Sequence, residues 1–205
     1  MLVKKIAVLV SGGGTNLQSL IDSIHGREGE ISLVISDTPG VYALSRARAA
    51  GILAETLDYK NFEDKNDFYD ALYQRLDQEA PALIVLAGFL KILPERFYQR
   101  FPLQIINIHP ALIPSFCGKG YYGIKVHEAA LKYGVKVTGV TVHFADGGAD
   151  TGPIILQRAV EVMDEDTPEI LQKRVLAVEH QILPDAVRLF LTDRFEICGR
   201  RVKIK

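Results

Sequence analysis

The stretch IAVLVSGGGTNLQSLI, residues 6–21, decides how the chain begins to fold. An unbroken apolar run, Ile6 to Val10, enters three glycines at 12, 13 and 14. Thr15 and Asn16 follow, and then Leu17, Leu20, Ile21 and Ile24 recur at helical spacing. A strand with no polar alternation is buried on both faces. A strand that passes through a glycine turn directly into an amphipathic helix opens a parallel βαβ unit.

The pattern repeats outward from there. Residues 31–37, 53–59, 82–89 and 103–110 read as further strands, and 41–51, 61–80 and 94–101 as the helices between them. Phe68, Leu72 and Leu76 form the apolar stripe of the 61–80 helix, and Pro94 suits the first turn of the short one. The result is a doubly wound, mostly parallel α/β sheet, whose ligands sit outside the carboxyl ends of the strands. Ser11, Asp37, Gly88 and His109 lie at or near those ends.

The second half reads differently. A loop over 111–123 precedes a helix over 124–134. Residues 135–145 and 152–162 read as an antiparallel strand pair around a glycine-rich loop. Thr167 N-caps a long C-terminal helix over 167–191, in which Pro184 predicts a kink, and 195–204 reads as a terminal hairpin.

Composition narrows the function. With 24 Lys and Arg against 25 Asp and Glu, the net charge of −1 offers no polyanion-binding surface. Cys117 and Cys198 match no metal spacing and make a poor disulfide framework, so a reducing cytoplasm is expected. The opening MLVKKIAVLV reads as a first strand rather than a leader, and no apolar stretch is long enough to span a bilayer. The expected partners are small-molecule substrates, with no nucleic acid and no membrane. The chain is expected to be a monomer or homodimer.

Three readings compete for SGGGTN. One is a tight strand-to-helix turn and nothing more. The second is a dinucleotide fingerprint with Gly12 and Gly14 in place and Asp37 as the ribose acid, but Leu17 occupies the third glycine position. The third is a monophosphate cradle, in which main-chain N–H groups of Gly14, Thr15 and Asn16 face an anion from a helix N-terminus. No G-K-[ST] follows, so a triphosphate P-loop is excluded. The turn alone does not choose between the last two.

IINIHPALIPSF, residues 105–116, carries more chemistry. Asn107 and His109 are two apart on one strand and so share a face. One is an amide able to donate to an oxyanion; the other titrates near neutrality. Asp150 lies in a glycine-flanked loop with Asp146 nearby. Loop aspartates are most often turn formers, and a lone His at a strand end is usually structural. Together, however, Asn, His and Asp supply an oxyanion donor, an acid/base and its partner. No G-x-S-x-G elbow is present, so the nucleophile is expected to be the acceptor substrate itself.

NIHPALIP followed by GVTVHF and DTGPIILQ resembles the formyltransferases that use 10-formyltetrahydrofolate. SGGGTNLQ narrows the resemblance to the branch acting on glycinamide ribonucleotide in purine synthesis. It covers about residues 4–191. It implies a single domain over 1–205 with a formyltransferase-like Rossmann variant. The N-terminal half would bind the ribonucleotide; the C-terminal half would bind folate and carry the chemistry. By position, the resemblance implies Asn107, His109 and Asp150 as catalytic residues. It implies Gly14, Thr15 and Asn16 at the phosphate and Glu179 at the ribose. Lys65, Lys91, Leu93, Ile105 and His143 would lie on the folate side. No metal is implied. Two positions depart: the family often has Arg where Lys91 and Lys65 stand, and lysine keeps the charge but loses the fork. Gly118, Lys119 and His127 are placed near the folate mouth, and Cys117 is read as a packing residue.

Rival readings remain. A methionyl-tRNA formyltransferase is expected to carry an added tRNA-binding domain and basic surface, and a formyltetrahydrofolate hydrolase an extra regulatory domain. A dinucleotide-binding module would use Asp37 and leave Asn107, His109 and Asp150 unexplained.

Overall fold

The computed structural model describes residues 3–205, so Met1 and Leu2 of the opening run lie outside the described residues. Two compact units divide the chain, Met1–Ile106 and Asn107–Lys205.

The first unit alternates strand and helix. It contains β1 (Lys5–Val10), α1 (Thr15–Ser23), β2 (Glu30–Ser36), α2 (Tyr42–Ala49), β3 (Leu53–Thr56), α3 (Lys65–Glu79), β4 (Leu83–Leu86) and α4 (Glu95–Arg100). β5 (Ile105–His109) carries the division between the units. β1 lies between β2 and β4 and is parallel to both, and β3 extends the sheet beyond β2, again in parallel. Ile6–Val10 and Leu83–Leu86 are buried throughout, which is why neither strand shows polar alternation.

Two helix boundaries differ from the sequence pattern. The 61–80 segment splits into a 3-10 turn, Tyr59–Asn61, and α3, which starts at Lys65. Asp58 caps the turn by accepting from the Lys60 N–H, and Asp64 caps α3 by accepting from the Asn66 N–H at 2.8 Å. Each such cap satisfies an orphan donor and contributes about 1 kcal/mol. Pro94 stands at the N-cap of α4, one residue before its first turn. Phe68, Leu72 and Leu76 are all buried, as their spacing requires. In α1, Ile21 is only half-buried while Asn16 and Ser19 are buried, so the inward face is more polar than the leucines suggest.

The second unit contains α5 (Ile124–Tyr133), β6 (Val137–Phe144), β7 (Ile154–Glu161), α6 (Pro168–Leu191), β8 (Phe195–Cys198) and β9 (Arg201–Ile204). β6 and β7 are antiparallel, as are β8 and β9, and Ile154 of β7 pairs in parallel with Arg201 of β9. α6 packs on β6, β7 and α5. The Thr167 side chain caps α6 by accepting from the Ile170 N–H, and the helix runs on through Pro184. Among the described residues, no helix is long and apolar enough to cross a membrane.

Candidate active site

Asp150 is the point on which the polar residues of the second unit converge. Asn107 Nδ2 donates to Asp150 Oδ1 at 3.2 Å, and the Gly118 main-chain N–H donates to Oδ2 at 2.9 Å. His109 Nδ1 lies 3.6 Å from Oδ2, and His143 Nε2 3.5 Å from Oδ1. Asn107 and His109 share one face of β5 because they are two apart. His143 reaches the group from the end of β6, and Asp150 from the loop before β7. The side chains of His109 and His143 are 5% and 2% exposed and that of Asp150 15%, so the group is largely withdrawn from water.

The hydrogen-bond partners assign the tautomers. His109 Nε2 is 2.8 Å from the Phe116 carbonyl, which can only accept, so Nε2 carries the proton. His143 Nδ1 is 2.9 Å from the Phe144 carbonyl, so it donates there and leaves Nε2 to accept from Asn107 Nδ2 at 3.2 Å. Both amide hydrogens of Asn107 are therefore engaged, one on Asp150 and one on His143.

The carboxylate sets the charge of this group. Burial pushes the His109 pKa down, and it stays lowered although Asp150 and the Phe116 carbonyl act in the other direction. Burial works against the Asp150 carboxylate too, but its contacts with His143, His109 and the Gly118 N–H outweigh it and hold the carboxyl below its usual range. The site at rest is thus an ionised carboxylate beside a neutral His109 imidazole. His109 has acceptors on two sides, so a proton arriving at its ring would be held by both. Such a group can stabilise an oxyanion and shuttle a proton without a protein nucleophile.

The surrounding frame is set by hydrogen bonds that the sequence pattern does not advertise. Thr141 Oγ1 of β6 donates to the Ala111 carbonyl and accepts from the Ile113 N–H and from Gln157 Nε2. The loop after Pro110 is thereby tied to β6 and β7. Gly139 lets that loop lie flat: a methyl there would come within 2.6 Å of the Leu112 side chain and 2.1 Å of the Arg158 carbonyl. His127 is buried in α5, and burial first, then His109, lower its pKa to about 4. Cys117 Sγ donates to the Pro114 carbonyl, and burial followed by Asp150 raises its pKa. Lys119 is exposed.

The remaining sequence candidates occupy other places. Gly14 is the N-cap of α1 in a left-handed conformation, φ 71°, with Thr15 and Asn16 in the first turn. A methyl at Gly14 would come within 2.5 Å of the Ala43 side chain of α2. Glu179 is buried in α6. Leu93 and Ile105 are core residues, 2% and 1% exposed. Lys91 Nζ pairs with Asp37 at 3.0 Å, and Lys65 Nζ donates to the carbonyls of Tyr59 and Phe62. Both ammonium groups lie 4.6 Å from the Tyr59 ring centroid. Asp37, the acid that the dinucleotide reading needs, is therefore engaged by Lys91. Asp146 holds its own loop, accepting from Thr151 Oγ1 at 2.5 Å. Among the described residues, no group of three or more His, Cys, Asp and Glu is placed to hold a metal ion.

Known proteins resemble the chain over nearly its whole length. The formyl transferase family matches residues 4–187. A crystal structure of glycinamide ribonucleotide transformylase 1 from Symbiobacterium toebii superposes with a TM-score of 0.91 at 44% identity, covering 98% of this chain and 94% of that one. The phosphoribosylglycinamide formyltransferase of Haemophilus influenzae is 40% identical over 95% of this chain and 91% of its own length. The trifunctional purine biosynthetic protein adenosine-3 of Homo sapiens is 41% identical over 98% of this chain, but the chain spans only 19% of that protein. On family match, identity and coverage together, the chain belongs to the formyl transferase family, in its phosphoribosylglycinamide formyltransferase branch.

Proposed function

We propose that this chain transfers the formyl group of 10-formyltetrahydrofolate to the glycyl amine of glycinamide ribonucleotide, in de novo purine biosynthesis. The products are formylglycinamide ribonucleotide and tetrahydrofolate. The observation that carries this reading is the convergence of Asn107, His109 and His143 on one ionised carboxylate, Asp150.

The transfer forms a bond from the amine nitrogen to the formyl carbon and breaks the bond from that carbon to the folate nitrogen. One proton passes from the attacking to the leaving nitrogen. Asn107 stabilises the developing oxyanion by turning toward it an N–H that now donates to Asp150 or His143. Charge that grows only in the transition state is where such a donor raises the rate. His109, neutral at rest and flanked by two acceptors, supports the oxyanion as imidazolium or receives the proton. Asp150 orients His109 and relays the proton toward the leaving nitrogen. Gly14, Thr15 and Asn16 hold the ribonucleotide phosphate and Glu179 its ribose. Lys65, Lys91, Leu93, Ile105 and His143 belong to the folate side. On this reading 1–205 works as one formyltransferase domain, with the ribonucleotide on the N-terminal half and the folate chemistry on the C-terminal half. Cys117 and Cys198, both free thiols, suit a cytoplasmic setting.

The test is release of tetrahydrofolate from 10-formyltetrahydrofolate by the purified chain, with and without glycinamide ribonucleotide. Release that requires the ribonucleotide is expected. Equal release without it would make the chain a hydrolase and overturn the reading.

A further inference from the structure

Asp150 holds a left-handed backbone conformation, φ 59°, which aspartate tolerates better than most residues and which neighbouring contacts help to hold. The next residue supplies that constraint. The Thr151 hydroxyl donates to Asp146 Oδ1 at 2.5 Å, and the Thr151 carbonyl accepts from Arg200 Nη2 at 2.7 Å. Thr151 is thus gripped at its side chain from within the loop and at its main chain from outside it. The held carbonyl fixes the peptide plane that joins Thr151 to Gly152, one residue after Asp150, because the plane is rigid.

Arg200 belongs to the turn between β8 and β9, beyond residue 187 where the formyl transferase match ends. The hairpin is itself anchored to the site. Phe195 of β8 lies 5.5 Å from Phe144, ring to ring, and 5.9 Å from Phe190 of α6. Phe144 is the residue whose carbonyl accepts from His143. Arg201 pairs with Ile154, directly after the Asp150 loop rejoins β7. The hairpin therefore touches both ends of the segment that carries Asp150.

We propose that Arg200 is a positioning residue for Asp150, and that the hairpin β8–β9 braces the loop through it. This rests on reading Asp150 as the orienting carboxylate. Without the Arg200 contact the peptide joining Thr151 to Gly152 loses its outside hold, and the loop is fixed there only through the Thr151 hydroxyl. The Asp150 carboxylate then loses part of its hold on the Gly118 N–H and its alignment with His109.

The experiment compares the wild-type chain with Asp150→Asn, Arg200→Ala, Arg200→Lys and, as a control on the same hairpin, Lys203→Ala. Arg200→Ala is expected to lower kcat about fivefold, the scale of one partly solvated charge-assisted hydrogen bond, with both KM values within twofold. Arg200→Lys, which keeps a donor, restores part of the loss, and Lys203→Ala behaves as wild type. Carbon-detected NMR follows the Asp150 carboxyl directly, and it titrates at higher pH in Arg200→Ala than in the wild type. Thermal unfolding stays within a few degrees of the wild type, as expected for one surface contact. Wild-type kcat with an unmoved Asp150 titration in Arg200→Ala would sink the brace, as would a loss of kcat that tracks a large fall in melting temperature. If Asp150→Asn keeps full turnover, the reading of Asp150 fails instead, and the titration in Arg200→Ala still decides the brace.

Discussion

The Gly118 N–H donates to Asp150 Oδ2 at 2.9 Å, so a main-chain group in the loop after β5 holds a carboxylate in the loop before β7. Asp150→Asn would turn an acceptor oxygen into an NH2 group facing either that N–H or the Asn107 amide. Turnover is expected to fall by at least about a hundredfold, the ordinary scale for losing a positioned proton-transfer group. Asp146→Asn should lose less than about tenfold, because its oxygen still accepts from Thr151. Steady-state kinetics of the two variants check this, and equal losses would overturn the choice of Asp150.

The glycine turn offers a second contrast. Gly14→Ala meets Ala43 and also requires a left-handed alanine. It is expected to destabilise the fold by about 2–4 kcal/mol. Gly12→Ala and Gly13→Ala have open space and no such backbone demand, and should unfold like the wild type. If the turn holds the phosphate, those two variants raise the KM for the ribonucleotide while leaving the KM for the folate unchanged. Denaturant titration and kinetics on the same samples separate the two effects.

Lys91 and Asp37 are unequal partners, their side chains being 28% and 1% exposed. Lys91→Met strands a buried carboxylate and is expected to cost about 2–3 kcal/mol. Asp37→Asn leaves an ammonium that can turn to water and should cost about 1 kcal/mol. Thermal melts would show the order, and the reverse order would mean that Asp37 is solvated in the native state.

His127 makes stability depend on pH. Folded, it takes up a proton only near pH 4; an ordinary histidine does so near 6.5. Between those values the unfolded chain binds more protons, so acidification favours unfolding. This contribution is fully present above about 6.5 and is lost progressively as pH falls toward 4, by up to about 1.4 kcal/mol per pH unit. His109, also lowered, acts in the same direction. NMR titration should find the His127 ring neutral at pH 5.5, and a charged ring there would contradict the burial argument.

Much of this was legible in the sequence, for identifiable reasons. Strands buried on both faces have no polar alternation, so β1 and β4 announce a parallel sheet. Residues two apart on a strand share a face, so Asn107 and His109 had to point together. What stayed hidden was carried by main-chain groups or by distant segments. The Phe116 carbonyl and the Gly118 N–H have no residue type to betray them. His143, expected on the folate side, also accepts from Asn107 within the Asp150 cluster, a contact with no sequence signal of its own. Arg200 comes from a hairpin whose only local signal is a turn. The start of α3 was misplaced because Asn61 and Asp64 are both plausible caps, and the 3-10 turn capped by Asp58 consumed the first of them.

Gly139 makes empty space a component of this site. It contributes no side-chain functional group, yet any side chain there would push Leu112, and with it the loop that carries the Phe116 carbonyl to His109. A redesign that regrafts the loop onto another scaffold must carry this bare position along, and a search that transplants only the reacting residues would leave it behind.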